Sequence, residues 1–159
     1  MTNMGMGGCP GSRMQDFRED TKGGKEEVGK RQSQLRQWPI QLHLVSPEAP
    51  YYQKSDVLLA ADCVAYSVGD FHKDYLKGKS IAIACPKLDE GQDVYVEKIK
   101  SFMDDAKINT LTVMTMQVPC CGGLVAMAEQ ALQSAKRKVP VKSIVVSLQG
   151  DVLSEDWVQ

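Results

Sequence analysis

No apolar run in this chain of 159 residues approaches the length of a membrane span, and residues 1–13 lack the apolar core of a secretory signal. The sequence therefore reads as a cytoplasmic protein without membrane insertion. An excess of one charge is missing too: 19 Lys and Arg stand against 20 Asp and Glu, a formal −1. No field is present of the strength that nucleic acid or an anionic membrane would select, so neither is expected as a partner. There is no Gly-x-Gly-x-x-Gly, no phosphate-binding loop and no Gly-x-Ser-x-Gly, which leaves nucleotide and acyl-transfer chemistry without support. Cys-x-x-Cys knuckles are absent as well.

What is there suffices for one domain, since 43% of the residues are hydrophobic and both helical and strand periodicities occur. Residues 1–36 are rich in Met-Gly, Lys-Gly-Gly-Lys and mixed charge, and are read as a largely flexible tail containing Cys9 in a turn-rich context. Residues 37–150 form the folded unit, and residues 151–159 a short acidic tail. Within the unit, Ile40, Leu42 and Leu44 alternate with Gln41 and His43 as a half-buried strand would. Uninterrupted apolar runs at 57–61 and 81–84 read as parallel strands buried on both faces, and residues 110–118 as a third β-rich run. Asp70 is placed to cap a short helix that ends at Gly78. Amphipathic helices are expected around Tyr95–Ala106 and from Leu124 to Ala135, with a last strand at 143–148. Strands alternating with helices give an α/β fold with a mainly parallel sheet and flanking helices, flavodoxin-like or Rossmann-like.

Five cysteines are then informative by position. Cys63, Cys85 and the adjacent pair Cys120 and Cys121 each follow a strand-like run, and an open parallel sheet binds ligands outside the carboxyl ends of its strands. Four thiolates suit a four-iron four-sulfur cluster and equally a tetrahedral zinc. Single ligands from distant strands favour the cluster, as does Gly122-Gly123, which allows close backbone approach. Cys9 could replace one ligand or cover the site. A thiol-disulfide pair at Cys120 and Cys121, and burial of any cysteine as a small hydrophobe, are the competing readings. His43 reads as an outward or satisfied side chain and His72 as a weak site candidate.

Several blocks carry a resemblance, among them Arg36-Gln37-Trp38-Pro39, Ala60-Ala61-Asp62-Cys63, Asp70-Phe71-His72, Ala84-Cys85-Pro86-Lys87-Leu88-Asp89 and Val118-Pro119-Cys120-Cys121. Together they resemble a family of iron-sulfur cluster-binding proteins of anaerobic bacteria and archaea. In that family the α/β domain commonly follows a two-cluster ferredoxin segment, and no Cys-x-x-Cys-x-x-Cys run occurs here. The resemblance implies one four-iron four-sulfur cluster and electron transfer or redox sensing with a protein partner, such as a ferredoxin or an oxidoreductase. A zinc-stabilised interaction domain is the alternative, and oligomer formation is left open.

Overall fold

The computed structural model describes residues 14–16, 18–20 and 29–158. Cys9 lies outside them, as does most of the expected N-terminal tail.

Seven strands occur among the described residues: β1 (Gln15–Asp16), β2 (Gln37–Trp38), β3 (Asp56–Ala61), β4 (Ser80–Ala84), β5 (Thr110–Met116), β6 (Val141–Val146) and β7 (Val152–Val158). The first two form a small antiparallel ladder, and the rest one sheet in the order β4-β3-β5-β6-β7. Pairing is parallel from β4 through β6 and antiparallel between β6 and β7. Three α-helices join them: α1 (Val64–Ser67), α2 (Gln92–Asp104) and α3 (Gly122–Ser134).

Burial on both faces explains the apolar runs of β3 and β4, and most of β5 is buried as well. Val57, Leu58, Leu59 and Ala60 of β3 are all buried, as are Ile81, Ala82 and Ala84 of β4 and Val113 and Met114 of β5. Right-handed crossovers place α2 and α3 on one face, where they pack together, and the β3 to β4 connection on the other. The stripe Tyr95, Ile99, Phe102 and Met103 of α2 is fully buried, as the helical spacing predicts. At the C-terminus of α3, Lys138 Nζ donates to the carbonyls of Leu132, Gln133 and Ala135, satisfying acceptors that the helix leaves unpaired.

The structure corrects several expectations. The alternating segment at 40–44 is not a strand but one parallel bridge, Gln41 to Ile83. Leu44 and Val45 donate to the Gln41 carbonyl and turn the chain, which leaves Leu44 exposed while Leu42 is buried. Asp70 caps no helix through its side chain; it pairs with Arg31 at 3.0 Å, and the segment His72–Leu76 is a π-helical turn that Gly78 ends with a φ of 77°. The last parallel strand begins at Val141, two residues before its expected start. Residues 152–158, expected within an acidic tail, are β7 on the sheet edge. The described part of the N-terminal region is tied to the domain, with the Gln34 N–H donating to His72 Nδ1 at 2.9 Å and Arg36 donating to Ser80 Oγ at 3.1 Å.

Candidate functional site

Topology defines the crevice. From β3 the chain moves outward to β4, then α2 carries it back past β3 to β5 on the other side. The connections leaving β3 and β5 thus diverge, which is the switch point where open α/β sheets bind ligands. Cys63 follows β3 by two residues, Cys85 follows β4 directly, and Cys120 and Cys121 close the 3₁₀ turn Pro119–Cys121 after β5. The cysteines therefore occupy the carboxyl ends of three strands that neighbour one another in the order β4-β3-β5.

Cys63 is exposed, Cys85 half-buried and Cys121 buried. The Cys120 side chain lies outside the described residues. Cys85 sits in a tight turn: the Asp89 N–H donates to its carbonyl at 2.9 Å, and the Leu88 N–H donates to its Sγ at 3.4 Å. Cys121 is the residue before α3, where the helix dipole favours negative charge.

Two glycines give the edge its shape. A Cβ at Gly123 would stand 3.2 Å from the Pro86 Cβ, a tight contact, so the loop after β4 lies close against the start of α3 where position 123 has no side chain. At Gly122 nothing lies within 4 Å of such a Cβ, which leaves open space beside the cysteine pair. The expected helix start at Leu124 moves back to Gly122, so both glycines belong to its first turn.

Asp89 organises the rim. Its Oδ2 accepts from the Cys85 N–H at 2.9 Å, from Gln41 Nε2 at 3.0 Å and from the Tyr95 hydroxyl. Burial, reinforced by the bond to Asp89, pushes the Tyr95 phenol well above its ordinary value. Asp62, next to Cys63, holds Oδ1 buried without a hydrogen-bond partner among the described residues. Burial first, and the nearby Asp89 carboxylate second, raise the Asp62 carboxyl. His43 stacks on Tyr95 at 4.2 Å with Nε2 2.5 Å from the Glu90 carbonyl oxygen, a satisfied histidine. His72 accepts from Gln34 in the β3 to β4 connection.

Sequence reasoning missed Asp62, Asp89, Gln41 and Tyr95 as parts of this site. Asp89 stands four residues after Cys85, a spacing that lets a side chain turn back on the strand end. Tyr95 reads as core from its helical spacing and is both core and hydrogen-bond donor.

The donor set fits thiolate ligation in chemical type: cysteines follow three neighbouring strands, an amide is directed at one sulfur, and Gly122 leaves room beside the pair. Among the described residues no three His, Cys, Asp or Glu side chains form a group that could hold a metal ion. No helix among them is long and apolar enough to cross a membrane.

An open, mostly parallel sheet with its crossovers and switch-point crevice defines a Rossmann-like class of domain. The chain belongs to that family: residues 49–158 match the Rossmann-like domain. It is also similar to an uncharacterized protein of Archaeoglobus fulgidus, 32% identical over 121 residues that cover 75% of this chain and 83% of the relative. No solved structure matches.

Proposed function

We propose that the carboxyl edge of the sheet holds one four-iron four-sulfur cluster through Cys63, Cys85, Cys120 and Cys121, and that the protein serves electron transfer or redox sensing with a protein partner. The carrying observation is that three adjacent strands, β4, β3 and β5, are each followed within a few residues by cysteine, at the carboxyl edge that holds the switch point. When bound, the cluster supplies a one-electron couple. The chain's own groups do the rest. Asp89 fixes the turn that presents Cys85, the Leu88 amide donates to its sulfur, and Cys121 stands at the start of α3, where the dipole favours negative charge. Cys121 is buried and Cys63 exposed, so one ligand would be shielded from water and another open to it.

Reconstitution without oxygen, using ferrous iron and sulfide, tests this reading. The expected result is about four irons per chain with the broad visible absorption of cluster sulfide. A protein that takes up no iron overturns the proposal. Zinc near one per chain, in protein purified without oxygen, would instead make this a zinc-stabilised interaction domain.

A further inference from the structure

Large apolar side chains are exposed around the same edge, and they come from different loops. Tyr66, in α1 after β3, is 94% exposed; Leu88, after β4, is 80%; Leu148, after β6, is 62%. All three stand on segments that follow parallel strands, at the carboxyl end of the sheet.

Two close contacts join these segments in pairs. Pro86 lies against Gly123, joining the β4 loop to the start of α3. Gly150, in the turn after β6, lies so close to the Ser67 carbonyl that a Cβ there would stand 2.2 Å from its oxygen, which joins that turn to α1. Hydrogen bonds fasten the same region, with the Gln117 N–H donating to the Val146 carbonyl and Gln117 Oε1 accepting from the Leu148 N–H at 2.8 Å.

Charge is unevenly spread. Asp62, Asp89, Glu90, Asp93 and Asp151 stand in these loops and the first turn of α2, against Lys87 as the opposing base, although the whole chain carries only −1. The edge is acidic on a nearly neutral molecule. A second copy of the chain would bring carboxylates against carboxylates, which argues against self-docking.

We propose that the rim of Tyr66, Leu88 and Leu148 is a docking surface for a protein partner that presents an apolar contact patch bordered by Lys and Arg. This deepens the cluster reading by naming the partner's chemistry at that edge, and it is tested on the chain without metal so that the two readings fail separately. A basic c-type cytochrome, with its apolar haem edge ringed by lysines, is the probe, and lysozyme, basic without such a ring, is the control for charge alone.

The cytochrome is titrated into the isotope-labelled, reduced chain, and amide shifts are followed at several salt concentrations. The expected shifts are confined to residues 62–70, 85–93 and 147–151, with affinity falling steeply as salt rises. Leu88→Ser and Tyr66→Ser each weaken binding about tenfold, the loss typical of an interface anchor, while Glu90→Lys weakens it and flattens the salt dependence. Each of these side chains is exposed, so the variants keep the fold, which their unshifted core amides verify. Absence of binding, equal binding of lysozyme, or shifts centred on β7 or the outer face of α2 overturns the proposal.

Discussion

Cys85 is the cysteine whose surroundings are most fully specified. Its amide, its carbonyl and its sulfur each have a partner in the turn that Asp89 closes. Serine keeps the turn but removes the soft ligand, so Cys85→Ser is expected to lose cluster loading, with iron falling to the level of a protein never reconstituted, while the far-ultraviolet circular dichroism is unchanged. Unaltered iron content in that variant would remove Cys85 from the ligand set. A second residue acts entirely through hydrogen bonds. Gln37 is fully buried, its Nε2 donates to the carbonyls of Pro39 and Ile81 and to the Tyr52 hydroxyl, and its Oε1 accepts from the Ile81 N–H at 2.8 Å. One side chain thus satisfies backbone groups of β4 that no neighbouring strand reaches. Gln37→Ala strands them, and the expected cost is about 3 kcal/mol, read from the urea midpoint.

At the scale of elements, the β6 to β7 turn is held by a position that only glycine fills. Gly150 has a φ of 92° and its backbone rests on the Ser67 carbonyl. Gly150→Ala combines left-handed strain with a backbone clash and is expected to destabilise by more than about 2 kcal/mol, measured by thermal unfolding. β3 and β4 were legible in the sequence because they are apolar on both faces, a pattern with few other causes, and β5 because its run is rich in β-forming residues. The segment at 40–44 misled because its alternation comes from a turn: Lys98 Nζ donates to the carbonyls of Leu42, His43 and Val45, an arrangement set by α2 from more than fifty residues away. β7 was hidden for the opposite reason, since an edge strand bearing Glu155 and Asp156 carries no apolar run. The cysteine positions were readable one strand at a time. Their neighbourhood was not, because it follows from the order β4-β3-β5, which no local pattern records. Asp62 and Asp89 escaped notice because a lone carboxylate after a strand reads as a solvated loop until burial is known.

For the whole molecule, one acid response follows from the α2 and α3 layer. The Arg137 amide donates to Asp104 Oδ1 at 2.9 Å, and this hydrogen bond, with lysines nearby, holds the Asp104 carboxyl below its ordinary value. A folded value below the unfolded one gives stability that is complete above the ordinary Asp value and is lost as pH falls through the lower, folded one. In urea unfolding from pH 7 down to about pH 2, a span reaching below the ordinary Asp value of about 3.9, Asp104→Asn is expected to fall less steeply in stability than the parent chain. Equal slopes would show that the group contributes nothing.

β7 also acts as a fence. Among the described residues it is the outermost strand of the sheet, so one row of its peptide groups faces no other described strand, an invitation for a further strand to add. Glu155 and Asp156 stand on that border, with Glu155 bound to Lys142, so a neighbouring copy approaching edge to edge meets negative charge. Cutting the chain after Gly150 would move the border inward to β6, where Val141, Ile144 and Val146 are buried in the intact protein. Light scattering of that shortened chain is expected to show association at concentrations where the full chain stays dispersed; equal scattering would mean the fence stands elsewhere. Seven residues that read as a trailing end are, on this account, what stops the sheet from growing.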